Sequence, residues 1–368
     1  MAGPSTIPVG DPKAVKRWSG SLFIDMLGKS YWEKKFTSTS DNAVIQRLTD
    51  LESAAGDTIS FDVSVQLKGK PTTGDNRVEG KAENLRFFTD EVKIDQTRKT
   101  VSSGGKMTRK RTLHNLRMIA KDRLSDYWAK YLDELTFIYM SGSRGINEDF
   151  YEEVTYAGHA GNPIQAPDAN HLIYGGTATS KATLTAAHKM TRQLIEVTST
   201  RARMLRAINP DVANMQPVMI DGEAHFCMLM SPYQETDLRI ETGAGGWLEI
   251  QKAAATAEGS RKNNIFRGGL GMINNVVLHS HESVIRFNDY GSGSNVAAAR
   301  ALYMGRQAGV VAYGSTGGTR ASWSEESKDH GNELEVCAGY ILGTKKTKFN
   351  NSDFGVMAVD TAAAMPTG

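Results

Sequence analysis

Two histidines separated by one serine, His279 and His281, come closest to a chemical constellation in this chain. On a β-strand, residues i and i+2 share a face, so both imidazoles could chelate one metal ion. No third ligand stands within reach by sequence, and the HExxH and CxxC zinc patterns are absent. The pair therefore reads as a strand end. Phosphate-cradling loops fail as well: Gly268-Gly-Leu-Gly271 has neither the GxGxxG spacing nor the lysine of GxxxxGK[ST]. No GxSxG nucleophile elbow occurs, and Gly291-Ser-Gly-Ser294 and Tyr313-Gly-Ser-Thr-Gly317 read as turns. Cys227 and Cys337 are the only cysteines and read as small buried hydrophobes. The basic clusters Lys106 to Arg111 and Lys345-Lys-Thr-Lys348 could touch phosphates, but no aromatics interleave with them as a single-strand stacking surface requires. Overall charge is close to balanced, with 43 basic and 41 acidic residues among 368, so no field draws the whole chain onto nucleic acid. No catalytic residue, cofactor or metal is expected.

The elements that would have carried such chemistry are more informative. No apolar run approaches the length of a membrane span, and Met1 to Trp18 lacks the apolar stretch of a signal peptide. The first 17 residues read as a flexible arm. Leu22, Phe23, Met26 and Leu27, then Val44, Ile45, Leu48 and Leu51, form short amphipathic segments that must lie on another surface. In 58–67, Ile59, Phe61, Val63, Val65 and Leu67 alternate with polar residues, a strand with one apolar face. After the polar span 68–84, the alternation resumes through Phe87, Val92 and Ile94, which predicts a long hairpin with a charged tip. Two antiparallel strands alone are marginal in water, so this hairpin needs a surface, and another subunit can supply it.

Leu113, Leu116, Ala120, Leu124, Tyr127, Tyr131, Leu135 and Ile138 recur at spacings of three and four, predicting one helix from about 108 to 140 closed by Gly142. Its charges oppose the helix dipole: Lys106, Arg109, Lys110 and Arg111 at the start, Asp133 and Glu134 near the end. A partner of complementary charge would offset that cost. Residues 145–178 read as a long irregular insertion. A second helix is expected over 181–208, stopped by Pro210, then an Asp221-Gly222 hairpin, a short helix capped by Ser231-Pro232, and strands around 276–278, 309–312, 336–342 and 354–359. The fold class is α+β.

Taken in order, these residues resemble the major capsid proteins of tailed bacteriophages related to that of phage N-four, which have the Hong Kong 97-type fold. The resemblance covers nearly the whole chain. It is carried by Val15-Lys-Arg-Trp18, Gly56-Asp-Thr-Ile-Ser-Phe61, Thr73-Gly-Asp75, Glu79-Gly80, Ile94-Asp-Gln96 and Asn115-Leu116. Later blocks are Ala120-Lys-Asp122, Ser231-Pro-Tyr-Gln234, Asp237-Leu-Arg239, Gly305-Arg-Gln-Ala308, Gly343-Thr-Lys-Lys-Thr347 and Phe354-Gly-Val356. It implies an N-terminal arm (1–50), an extended-loop hairpin (51–105), and a peripheral domain with spine helix and insertion (106–179). An axial domain (180–325) follows, and C-terminal strands (326–368) return to the peripheral domain. It also implies the missing surface: the hairpin lies across a neighbouring subunit, bringing Asp75, Glu79 and Glu83 to that neighbour's Arg109, Lys110 and Arg111.

The function so implied is structural: self-assembly through pentamers and hexamers into the icosahedral head of a virion built in the host cytoplasm, around double-stranded DNA contacted without sequence preference. Portal and decoration proteins would be further partners. No extension of about a hundred residues precedes the arm, so a separate scaffold protein is expected, and no residue triad supports a Lys–Asn crosslink. An encapsulin-like cellular cage shares the fold. A soluble enzyme and a nucleic-acid-binding module are alternatives of other classes, marked respectively by a monomer with a perturbed acid or base and by a basic face surviving folding.

Overall fold

The computed structural model describes residues 22–52, 56–64, 69–85, 87–112, 114–209, 212–220, 222–241, 270–315 and 320–366. The arm up to residue 21, hairpin residues 65–68, Leu113 and the Gly268–Gly269 half of the glycine cluster lie outside them.

The helix Leu116–Ser141 is the axis of the fold. At 1.5 Å per residue it is about 39 Å long. Its first half is amphipathic, with Asp122, Arg123, Asp126 and Lys130 in solvent, while 131–141 is buried on every side. It is shorter than the sequence stripe predicts. Thr112 is extended, and the Asn115 side chain accepts the Met118 N–H, so Lys106–Arg111 forms a separate short helix. At the other end Gly142 takes a left-handed conformation (φ 68°), as expected of a helix stop. A Cβ there would meet the Gln165 carbonyl oxygen at 2.2 Å.

The two short segments ahead of the hairpin find their surface within the chain. Helical residues 22–29 and the helix Tyr31–Lys35 bury Leu22, Met26, Trp32 and Phe36 against the long helix and the strand Glu333–Lys346. Ring contacts join the layers: Trp32 to Phe137 (5.0 Å), Trp128 to Tyr340 (4.8 Å) and Phe23 to Tyr313 (5.8 Å).

Two sheets flank the long helix. In the six-stranded sheet, Glu333–Lys346 pairs along one edge with Gly309–Gly314 and Ala321–Lys328, and along the other with Asp95–Ser102; Ile45–Leu48 adds in parallel to Gly309–Gly314. The eight-stranded sheet runs Leu172–Tyr174, Val356–Ala362, Val296–Met304, Glu223–Met230, Val276–Ser280, Gly271–Ile273. Its strands bury both faces, which explains their unbroken apolar runs. Cys227, Leu229 and Leu302 face the core of the long helix, while Phe226, Met228 and Tyr303 face the helices Arg192–Arg203 and Pro232–Ile240.

The hairpin pairs Thr58–Ser64 with Phe87–Lys93, and the chain then leaves it to join the six-stranded sheet from Asp95. The expected helix over 181–208 begins only at Arg192, because the Thr191 side chain caps the Leu194 N–H and Leu184 is extended. Val218–Ile220 and Glu223–Met230 pair as the predicted hairpin, although Asp221 of its turn lies outside the described residues, and the Ser231-capped helix forms with a reciprocal Ser231–Gln234 capping box. The chain crosses between sheets at 305–308 and again at 347–355. Thus Val356–Ala362 lies in the eight-stranded sheet rather than returning with Glu333–Lys346. Every residue of that strand is buried, a burial that a central position paired on both edges provides.

Candidate functional site

The charges that looked misplaced on one long helix have different explanations at its two ends. Arg109, Lys110 and Arg111 close their own short helix, where cations favour the carbonyl end of the dipole. Arg109 donates to the Asn332 carbonyl at 2.8 Å, and the Lys106 N–H donates to the Asn332 side chain at 3.1 Å. Lys110 and Arg111 are exposed and pair with no carboxylate among the described residues.

Asp133 and Glu134 point inward as ties. The Asp133 carboxylate accepts from Ser30 Oγ (2.6 Å), the Tyr31 N–H (2.8 Å) and the Trp32 N–H (3.1 Å), and so holds the start of the helix Tyr31–Lys35. Burial pushes its carboxyl up to about 6, against those three hydrogen bonds. Glu134 accepts from the Tyr151 and Glu152 N–H groups at 2.7 and 2.8 Å, fixing the insertion to the helix; burial raises it as well. Sequence reading saw these two residues only as dipole charges, because their donors lie about 100 and 17 residues away.

The insertion 145–178 is irregular, as expected, but ordered by buried polar bonds. The Asn162 side chain bonds both the N–H and the carbonyl of Lys93, and Tyr139 Oη donates to the Asn162 carbonyl at 2.8 Å. Asp168 accepts from His171, Ser352 and the Asp353 N–H; burial would raise its carboxyl, but the His171 hydrogen bond and charge hold it well below the usual range.

His279 and His281 pack against aromatic rings: Phe36 lies 5.2 Å from His279, and Tyr31 lies 4.4 Å from His281. Burial, helped by Lys35, lowers His281 to about 4. Among the described residues no cluster of His, Cys, Asp and Glu could hold a metal. Cys227 is buried, its thiol pushed up to about 12 by that burial, while Cys337 is half-buried; both are free. The basic run 345–348 is consumed internally. Lys345 pairs with Asp90, Lys346 with Asp353 at 2.9 Å, and Lys348 with Asp353 at 3.5 Å, leaving it unavailable to phosphate. A buried network that sequence could not show joins the long helix to the eight-stranded sheet. Arg300 donates two bonds of 2.7 Å to Asp360 and one of 2.9 Å to the Ser141 carbonyl, while Tyr290 Oη donates to Asp360 at 2.6 Å.

What remains for function is surface. The hairpin tip 69–85 is exposed almost throughout, shaped by local bonds such as Gly69 N–H to Glu83 and Lys81 N–H to the Val78 carbonyl. It holds Asp75, Glu79 and Glu83 out in solvent together with Val78, Leu85 and Phe87. Among the described residues no ion pair joins those carboxylates to Arg109, Lys110 or Arg111.

Among the described residues, then, a two-sheet body carries a projecting two-stranded hairpin, and its buried charges are committed to internal ties. The solved structures give that body its fold. A chain of the capsid of Ralstonia phage GP4 is 57% identical, with each chain covered in full and a TM-score of 0.87. The capsid asymmetric unit of cyanophage Pam1 matches at a TM-score of 0.69, with 21% identity over 89% of this chain and 91% of that one. This is the Hong Kong 97-type fold. The phage capsid protein family matches residues 6–365, and the chain belongs to that family. The major capsid protein of Pseudomonas phage KPP25 is 23% identical over 357 residues, 89% of this chain and 90% of its own length. The chain is accordingly a structural protein, a phage major capsid protein that forms the shell of the virion, and not an enzyme or an encapsulin.

Proposed function

We propose that the chain assembles through pentamers and hexamers into the head that encloses double-stranded phage DNA, inside the host cytoplasm, with scaffold, portal and decoration proteins as separate partners. In this reading 1–50 acts as an arm and 51–105 carries the extended loop. Residues 106–179 begin the peripheral domain around the long helix, the eight-stranded sheet belongs to the axial domain built on 180–325, and 326–368 contributes strands to both sheets. The supporting observation is the hairpin: two strands, marginal by themselves, ending in an exposed tip that carries Val78, Leu85 and Phe87. A neighbour's body supplies the surface such a tip lacks. There Asp75, Glu79 and Glu83 would face the neighbour's Arg109, Lys110 and Arg111. Closed rotational symmetry makes that contact heterologous, and many weak copies of it act together.

Light scattering and negative-stain microscopy of the full chain carrying R109E, K110E and R111E test the contact. Closed shells should be lost and should return when D75K, E79K and E83K are added. Undiminished shells from the reversed chain would refute these residues as the contact. A persistent monomer from the unaltered chain, even with scaffold protein, would refute assembly itself.

A further inference from the structure

The insertion presents a patch that none of the described residues covers. Glu134 fixes the amides of Tyr151 and Glu152, and the Asn147 side chain bonds the Val284 carbonyl (3.0 Å) and the Arg286 N–H (2.9 Å), so 146–154 is held in place. Held that way it exposes Ile146, Tyr151 and Val154 beside Glu148, Asp149 and Glu153, with Val154 at 69%. None of the three carboxylates meets a cation among the described residues. Lys130 sits over the Tyr151 ring at 5.3 Å and leaves them unpaired.

A complementary surface lies on the opposite face of the eight-stranded sheet. The helix Arg192–Arg203 and the short helix Leu205–Ile208 shape an open groove of about 710 Å³, lined by Val197, Thr200, Arg201, Met204 and Ile208. Met204 is 54% and Ile208 57% exposed. Arg201, Arg203 and Arg206 stand in the same stretch, and none of them meets a carboxylate among the described residues. Arg201 and Arg203 donate only to the carbonyls of Ala169 (3.1 Å) and Asn274 (3.4 Å), and the Arg201 Nε is buried without a partner. Glu196, also on the groove, is already paired with Arg192 at 3.1 Å. The loop is tied to the long helix on one face of the sheet while the groove opens on the other, so the two cannot meet within one chain.

We propose that the 146–154 loop of one copy seats in the 197–208 groove of the next, Val154 and Ile146 on Met204 and Ile208, with Glu148, Asp149 and Glu153 against Arg201, Arg203 and Arg206. The occupant is a second copy because charge and apolar character match on the two patches, and because this chain is a shell subunit. The contact rests on that reading. Being heterologous, it closes into rings under rotational symmetry, and opposed charges fix its register.

Cysteine linking tests it with the full chain. Shells assembled from a mixture of V154C chains and I208C chains, then treated with a short bismaleimide, should give a linked dimer containing one chain of each kind, absent from either variant alone. No mixed dimer from intact shells would overturn the docking while leaving the capsid reading in place. Charge reversal is the second measurement. E148R/D149R/E153R and R201E/R203E/R206E should each abolish closed shells, and the six together should restore them. Shells that survive either reversal, or a combined variant that does not recover, would overturn the pairing and leave the groove to another occupant, such as the chain's own 242–269.

Discussion

Asp133 and His281 meet the same helix start from two sides, and their titrations oppose each other. Asp133 holds the Ser30 hydroxyl and two amides, while His281 packs on the Tyr31 ring. The Asp133 carboxyl is raised from 3.8 to about 6 on folding. The folded state therefore binds its proton more tightly, and the stability this contributes is present below pH 3.8 and lost as pH rises through 6. His281 is lowered from 6.5 to about 4, so the unfolded chain takes the proton first; its contribution is complete above 6.5 and lost as pH falls toward 4. The two displacements are similar in size, and each is worth on the order of 3 kcal/mol across its window. Between about pH 4 and 6 the two nearly cancel. Urea unfolding of the unassembled chain, followed by tryptophan fluorescence, should thus change little from this site across that range. Asp133→Asn removes one partner: at pH 7 it impairs three hydrogen bonds, at about 1–2 kcal/mol, but also removes the cost of the buried charge, so the two should offset to within about 2 kcal/mol there. It should also expose the histidine slope, with stability falling by roughly 3 kcal/mol from pH 6.5 to 4. His281→Phe should expose the reverse, stability falling as pH rises from 4 to 6. If both variants keep the slope of the unaltered chain, or if the two slopes share a sign, the opposed-titration reasoning is refuted.

Two other interior features give simpler expectations. Arg300→Met leaves the fully buried Asp360 carboxyl with Tyr290 as its remaining side-chain partner, so unfolding stability should drop by about 3–5 kcal/mol. A loss below about 1 kcal/mol would show the network to be dispensable. Gly343→Ala puts a Cβ 1.9 Å from the Lys93 carbonyl oxygen, where the end of the hairpin crosses the long strand. Backbone must move to admit it, at a cost of at least about 2 kcal/mol. Soluble yield and shell formation should both fall, and a variant that assembles normally would contradict the close approach.

The fold class was legible because local rules carry it. Alternation at Ile59 and Phe61 marked the hairpin, the three-and-four spacing through Leu124, Tyr131 and Ile138 marked the long helix, and Ser231-Pro232 marked a cap. Family resemblance then supplied the assembly, which no periodicity encodes. Local rules misplaced helix starts at 108 and 181, since spacing alone does not reveal that Asn115 and Thr191 cap later turns.

The sequence by itself determined the long helix, the hairpin and the buried strands, apart from where the helices start, because those patterns depend on residues a few positions apart. Tertiary structure alone decided what the charges do. Asp133 serves Ser30, Lys346 serves Asp353, and Arg300 meets Asp360 across two strands. It also decided that Glu148, Asp149 and Glu153 stay in solvent while Arg201, Arg203 and Arg206 lie across the sheet from them. A charge buried in low dielectric must find its partner wherever the chain brings one, and that partner's distance in sequence is not written in the residues around it.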